Sequence, residues 1–300
     1  MASRSGPVMA AASEHEAETA VRQTLRWLRA APLGALTQLA CRFGYAARGF
    51  VYLSIGAIAL FAALELAPEA EGSMGALRAW AQWPLGFVLL WVTGLGLYGF
   101  AGWRLLQSVF DADRQGTAMK AILTRLGQAI SGAVYGGLGY SVFGALDTLE
   151  DLAEPEDQAA EQAAAEQALA MPGGEWAIAA VGVFVFAAGV ANIVKAVRGN
   201  LDERLVCQDR LSEAAGLIGR IGYGARGVAF LTAGTMLARA GLHASAEEAA
   251  GLGDALQALE RAPLGSPLLV LVALGLVAFG LFALLEARYR IIPASEVVED

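Results

Sequence analysis

Two short segments place an arginine between a tyrosine and a glycine in the same order. Residues 44–49 read Gly-Tyr-Ala-Ala-Arg-Gly, and residues 222–227 read Gly-Tyr-Gly-Ala-Arg-Gly. A guanidinium group grips a phosphate through two parallel hydrogen bonds, and an adjacent glycine lets the anion approach the backbone. The pattern therefore predicts a lipid or anion site. Its candidate contacts are Arg48, Arg226, Tyr45 and Tyr223.

The same residues also fit a simpler role at a membrane surface. Arg48 and Arg226 each lie about four residues, or about 6 Å, inside the start of an apolar segment. An arginine at that depth extends its charged group to the lipid headgroups, and tyrosines are common at the same level. The alternative interpretation is therefore a pair of interfacial anchors.

A second polar candidate consists of Lys195 and Glu286, near the ends of two later apolar segments. We expect them at equivalent heights, aligned with Leu105 of an earlier segment. Opposite charges inside a membrane usually pair, so the two residues are a candidate intramembrane polar pair. The alternative is two charges at helix ends that reach water.

The sequence offers little for catalysis. Its two histidines have no metal-ligand spacing to another histidine or to a cysteine. Neither Cys41 nor Cys207 lies in a recognisable nucleophile setting. The glycines at 222, 224 and 227 match a nucleotide-binding pattern, but no strand precedes them. We expect no enzymatic activity, no metal and no cofactor.

The composition indicates a membrane protein. Of 300 residues, 56% are hydrophobic and 17% are charged, against about 25% charged in a typical soluble domain. The mean hydropathy is +0.51. A net charge of −8 without a basic cluster excludes nucleic acid as a partner. The expected partners are membrane lipids, and other membrane proteins or a second copy of this chain.

Six apolar stretches are long enough to cross a bilayer as helices. A hydrocarbon core of about 30 Å needs about 20 apolar residues. None of the stretches alternates as a strand would, and helix satisfies the backbone in lipid. The sequence predicts an all-α fold of six transmembrane helices at about 44–66, 84–106, 126–146, 176–194, 221–238 and 266–285.

The basic residues predict the orientation in the membrane. Of 21 lysines and arginines, only Arg78, Arg239 and Arg261 fall in the first, third and fifth connections. Cytoplasmic segments carry the excess of basic residues. We therefore expect both termini in the cytoplasm, with the membrane being the bacterial inner membrane.

The chain contains an internal repeat of two helices. Segments beginning at residues 42, 130 and 220 share glycines at 44, 132 and 222 and again at 49, 137 and 227. A Pro-x-Gly sequence precedes each second helix, at 84–86, 172–174 and 263–265. A short outer helix is expected before each of these, at 76–82, 160–170 and 253–261, since proline ends or redirects a helix.

Two spans per unit give every copy the same orientation, so the copies can be related by an axis along the membrane normal. We predict a pseudo-threefold bundle of three parallel repeats. The predicted divisions are a cytosolic tail with a short basic helix at 1–35, repeat 1 at 36–115, repeat 2 at 116–205 with an acidic outer loop at 147–175, repeat 3 at 206–292, and a cytosolic acidic tail at 293–300.

These motifs resemble a bacterial family, the domain of unknown function 1206, whose members carry a triplicated pair of membrane helices. The resemblance covers about residues 36–292. It rests on the two arginine segments, extended to 44–52 and 222–230, and on the Pro-Leu-Gly helix starts. The middle copy departs, with Gly136 in place of the arginine and Ala133 in place of the tyrosine. The resemblance implies the architecture and implies no activity.

Two functions remain open at this point. The first is a non-enzymatic structural, lipid-interacting or regulatory membrane component, which predicts a dry, closely packed bundle. The second is a small-solute or ion transporter or channel, which predicts a polar cavity at mid-depth. Because carriers usually place an ionisable residue near the helix centres, and the predicted centres hold almost none, the sequence favours the first.

Overall fold

The protein is helical throughout the part of the chain that the structure describes. The computed structural model describes residues 33–66, 70, 72–73, 76, 79–80, 86–111, 116, 118–147, 157–199, 201, 205 and 209–290. The helices are α1 Leu33–Ala63, α2 Gly86–Phe110, α3 Met119–Asp147, α4 Asp157–Leu169, α5 Gly174–Arg198, α6 Asp209–His243, α7 Leu252–Glu260 and α8 Gly265–Tyr289. The predicted basic helix within 1–32 and the tail at 293–300 lie outside these residues.

Four helices are long and apolar enough to cross a membrane. These spans are Gln38–Ala63 within α1, and α2, α5 and α8 over their full lengths. The helices α3 and α6, with 29 and 35 residues, are long enough but more polar, and they do not reach the same level of hydropathy. The structure thus supports four of the six predicted spans directly.

The first helices of the repeats begin earlier than the hydropathy predicts. The helix α1 begins at Leu33 rather than at residue 44, and α6 begins at Asp209 rather than at 221. A hydropathy pattern marks where side chains become apolar, whereas backbone hydrogen bonding continues through the polar turns before that point. These extra turns place Arg48 and Arg226 well beyond the first turn of their helices.

The second helices begin where the Pro-x-Gly sequences predict. The helices α2, α5 and α8 start at Gly86, Gly174 and Gly265. A Cβ atom on Gly265 would lie 1.5 Å from the carbonyl oxygen of Glu260, so only glycine fits this turn. The short helices expected before two of these turns are confirmed as α4 and α7.

The helices pack in a repeating order. The second helix of each repeat packs against the first helix of the next repeat, which gives the pairs α2–α3, α5–α6 and α8–α1. Within repeats 1 and 3, the two helices of the repeat also pack together, as α1–α2 and α6–α8. The last repeat therefore contacts the first, and the chain closes on itself.

Repeats 1 and 3 use the same glycines for these contacts. A Cβ atom on Gly44 would lie 2.6 Å from the backbone nitrogen of Phe100, and one on Gly222 would lie 2.6 Å from the backbone nitrogen of Phe279. Small residues allow membrane helices to approach closely. The glycine rows are therefore packing surfaces that bring the backbones of paired helices together.

Candidate functional site

Arg48 and Arg226 lie at the centres of their helices and not at the ends. Arg48 is the middle residue of Leu33–Ala63, and Arg226 is the middle residue of Asp209–His243. Arg48 is 3% exposed, and Arg226 is half-buried. An anchor that reaches the headgroups would have an exposed guanidinium, so the anchor interpretation is wrong for Arg48.

Aromatic rings surround the guanidinium of Arg48. Its Cζ atom lies 4.5 Å from the ring centroid of Phe279 and 5.5 Å from that of Phe100. These two phenylalanines are fully buried and occupy equivalent positions in α8 and α2. The buried Nε atom of Arg48 has no hydrogen-bond partner among the described residues. The rings therefore provide part of the stabilisation and leave a hydrogen-bond donor free.

Arg226 reaches two neighbouring helices. Its Nε donates to the hydroxyl of Tyr52 over 2.8 Å, and its Nη1 donates to the side-chain oxygen of Asn192 over 3.2 Å. The Cζ atom also lies 4.4 Å from the ring centroid of Phe230 and 5.0 Å from that of Phe279. Arg226 thus links α6 to α1 and α5 through neutral groups.

The two candidate tyrosines pack beside the arginines. Tyr45 meets Phe100 edge-on at 5.3 Å between ring centroids, and Tyr223 meets Phe279 in the same way at 5.1 Å. Both tyrosines are buried, so neither lies at the surface as a membrane-interface residue. The buried hydroxyl of Tyr45 has no hydrogen-bond partner among the described residues.

A third arginine, which the sequence analysis missed, joins this site. The Cζ atom of Arg104 lies 5.1 Å from the ring centroid of Phe100, the ring that Arg48 also contacts. Its Nη1 donates to the Oε1 atom of Gln107 over 3.2 Å, and its buried Nε has no partner among the described residues. In the repeat frame Arg104 corresponds to Asn192, since each follows its helix start at Gly86 or Gly174 by the same distance. This alignment with a residue of another repeat could have identified Arg104 from the sequence.

The predicted pair of Lys195 and Glu286 is arranged differently from the expectation. Glu286 is buried and forms a salt bridge with Arg290, four residues further along α8. Lys195 is exposed, with its Nζ atom 5.0 Å from the ring centroid of Tyr223. The starts of α2, α5 and α8 place both residues level with Gln107, so the alignment with Leu105 is wrong by two residues.

The site brings together more positive than negative charge, and one of its arginines, Arg48, is buried. We call Arg48, Arg104 and Arg226 the arginine cluster. Within the described part of the chain none of the three forms an ion pair, and the buried carboxylate of Glu286 is already paired with Arg290. A ring contact stabilises a guanidinium by about 1 to 2 kcal/mol, whereas a buried ion without a counter-ion costs several kcal/mol. The arrangement therefore suits an anion.

These features define the class of protein. It is an all-helical membrane protein with a central group of arginines among aromatic rings. The chain belongs to the family described as Domain of Unknown Function (DUF1206), whose model matches it three times, at residues 43–111, 126–199 and 221–290. The triplicated two-helix repeat expected from the sequence is thereby confirmed.

A similar protein is known from a bacterium. The chain is 27% identical over 262 residues to the "Uncharacterized protein YxxB" of Bacillus subtilis (strain 168), and the match covers 83% of this chain and 90% of that protein. No solved structure matches the chain significantly.

Proposed function

We propose that the protein is a non-enzymatic, lipid-interacting component of the bacterial inner membrane that binds an anionic group at the arginine cluster. The observation that carries the proposal is the unpaired charge of three guanidinium groups at the centre of the bundle. A phosphate or carboxylate oxygen would accept hydrogen bonds from the free Nε atoms of Arg48 and Arg104. Such an anion would also supply the missing counter-charge.

The proposed architecture is six transmembrane helices around a pseudo-threefold axis. In all three repeats the second helix packs against the first helix of the next repeat, as α2 with α3, α5 with α6 and α8 with α1. This repeated pairing supports the arrangement. The arginines that cap the second helices also support it. Arg125 of α3 donates to the carbonyl oxygen of Ser108 in α2, and Arg42 of α1 donates to that of Ala287 in α8.

The helices α3 and α6 are proposed to cross the membrane although they are more polar than the other four. Each runs beside an apolar span, and a helix of 29 or 35 residues is about 44 to 53 Å long. Polar residues in a spanning helix are tolerated where they face the interior of a bundle. The distribution of lysine and arginine supports both termini being cytoplasmic.

The proposal is tested by replacing Arg48 with glutamine. Purified protein in detergent is heated with and without added phosphatidylglycerol, and the melting temperature is recorded. A ligand that binds the folded state alone raises that temperature by mass action. We expect the native protein to gain stability with phosphatidylglycerol, and Arg48→Gln to lose the gain. Without lipid, Arg48→Gln should melt at the same or a higher temperature, because it removes an unpaired buried charge.

Arg220→Gln is the matched control, because Arg220 lies on an exposed face of α6. It should keep the full response to phosphatidylglycerol. If Arg48→Gln responds to the lipid as strongly as Arg220→Gln does, the arginine cluster is not an anion site. Size-exclusion chromatography of each variant separates a failure to fold from a failure to bind.

A second candidate function is transport of a small anion. The position of Arg48 and Arg226 at the helix centres favours it, since carriers place ionisable residues at mid-depth. Phosphate uptake by protein reconstituted into vesicles distinguishes the two functions. A lipid-interacting component should give no uptake above that of empty vesicles, whereas uptake that Arg48→Gln abolishes would favour the transporter.

A further inference from the structure

Repeat 2 leaves an opening in the ring of helices. The helices of repeat 1, α1 and α2, pack against each other, and so do α6 and α8 of repeat 3. Over the described residues, the equivalent helices of repeat 2, α3 and α5, do not pack in this way. We call the space between α3 and α5 the seam.

Three large side chains are missing on the side of the seam. The trio of tyrosine, arginine and phenylalanine that fills the centre in repeat 1 is Tyr45, Arg48 and Phe100. The corresponding residues of repeat 2 are Ala133, Gly136 and Ala188. Repeat 2 therefore contributes neither the bulk nor the charge that the other two repeats bring to the centre.

Residues of repeat 2 are also more exposed than the equivalent residues of repeat 1. Tyr140 at the seam is 73% exposed, whereas its counterpart Tyr52 is 5% exposed. Gly137 is exposed, and its counterpart Gly49 is buried. The cation of Lys195 is exposed on α5 as well. The two helices that border the seam thus carry exposed residues, and α5 adds an exposed cation.

One helix beside the seam contacts the arginine cluster directly, and the other contacts it through Phe100. Tyr135 of α3 meets Phe100 edge-on at 4.8 Å, and Phe100 is the ring over which Arg48 and Arg104 lie. Asn192 of α5 accepts the hydrogen bond from Arg226. The two helices that border the seam therefore both contact residues of the site, Phe100 from α3 and Arg226 from α5.

We infer that the seam is a lateral entrance through which one anionic phospholipid places its headgroup phosphate on the arginine cluster. This inference rests on the proposed anion site and adds the ligand class and its route. The charge argues for the occupant, because the three guanidiniums and Lys195 are complementary to a phosphate. The position argues for a lipid, because the seam opens between two helices of the bundle and α5 is apolar enough to span the membrane.

The inference is tested by introducing into repeat 2 the aromatic side chains that repeats 1 and 3 have at the same positions. The variant Ala133→Tyr/Ala188→Phe carries the residues found at those positions in repeats 1 and 3. A control variant, Leu95→Tyr/Leu271→Phe, adds aromatic rings on exposed faces of α2 and α8. Each protein is melted in detergent with phosphatidylglycerol, phosphatidylcholine or inorganic phosphate. Native mass spectrometry counts the bound lipids.

We expect the native protein and the control to gain stability with phosphatidylglycerol and to retain one phosphatidylglycerol. The seam variant should lose both effects while melting normally without lipid. Phosphatidylcholine and inorganic phosphate should give much smaller gains than phosphatidylglycerol in the native protein, since neither is an anionic lipid.

Four other results would overturn the inference in distinguishable ways. A seam variant that keeps the full response to phosphatidylglycerol would show that lipid reaches the cluster by another route, and the anion site itself would stand. An equal response of the native protein to inorganic phosphate would assign the site to a free anion. If the native protein responds to no anion, the proposed function fails together with the entrance. Dimers formed by Lys195→Cys on oxidation would assign the seam to a second copy of the chain.

Discussion

At the scale of single residues, one position of the repeat is occupied by two different types of residue in the three copies. It holds arginine at 48 and 226 and glycine at 136. An arginine at the middle of an apolar helix is costly unless its surroundings stabilise it. In this bundle the rings of Phe100 and Phe279 do so in part, and each ring is itself held by a tyrosine. The arginines and the aromatic residues therefore form one unit.

The turn before α8 contains a residue in an unfavourable backbone conformation. Leu264 has a φ of 64°, and its side chain is 82% exposed. The corresponding residue of repeat 2 is Gly173, with a φ of 77°. We expect Leu264→Gly to stabilise the protein by about 1 kcal/mol, because glycine adopts this conformation without a steric penalty. Thermal unfolding in detergent measures the difference.

The reverse exchange, Gly173→Leu, is the control. No atom lies within 4 Å of a Cβ placed on Gly173, so conformation alone should determine the effect. It should destabilise the protein by a similar amount. A decrease in melting temperature for Leu264→Gly would mean that the leucine side chain stabilises the protein by more than its backbone strain costs.

At the scale of helices, glycines set the distance between repeats. Gly49, Gly137 and Gly227 are equivalent, but their surroundings differ. A Cβ atom on Gly49 would lie 2.9 Å from the carbonyl oxygen of Gly280, and one on Gly227 would lie 2.6 Å from the side chain of Ile193. No atom lies within 4 Å of a Cβ on Gly137. The same glycine is thus required for packing in two repeats and not in the third.

Alanine substitutions at these glycines should therefore have unequal effects. We expect Gly49→Ala to destabilise the protein by about 1 to 3 kcal/mol, since the added methyl group would force α1 and α8 apart. The matched variant Gly137→Ala should be neutral or slightly stabilising. Melting temperatures of the two variants in the same detergent test this. Equal losses would show that α3 has a close neighbour at Gly137.

The helices were more predictable from sequence than the site. Pro-x-Gly gives the helix starts at Gly174 and Gly265 because the residue before each has a positive φ and a Cβ atom on each glycine would clash with the backbone. The burial of Arg48 could not be predicted, because hydropathy gives depth along a helix and does not tell which side faces the bundle. Arg104 was missed for the same reason, since it lies near the end of an apolar segment where basic residues are common.

At the scale of the whole molecule, three copies of one unit produce an asymmetric bundle. Repeats 1 and 3 supply the tyrosines, the phenylalanines and all three arginines of the cluster, and repeat 2 supplies Tyr135 and Asn192. A change in one copy of a repeat can open a route to a site that the other copies form. Such a division of roles requires α3 and α6 to lie in the membrane beside the other helices.

The crossing of the membrane by α6 is the sharpest test of this arrangement. Glu213 and His243 are exposed near its two ends, and they lie 30 positions apart, which is about 45 Å along the helix and more than the thickness of a bilayer core. Native Cys41 and Cys207 are replaced by alanine, and single cysteines are introduced as Glu213→Cys or His243→Cys. With a membrane-impermeant maleimide, His243→Cys should react in intact cells, and Glu213→Cys should react only after permeabilisation. Reaction of both from the same side would show that α6 does not cross, and the opposite pattern would reverse the orientation derived from the basic residues.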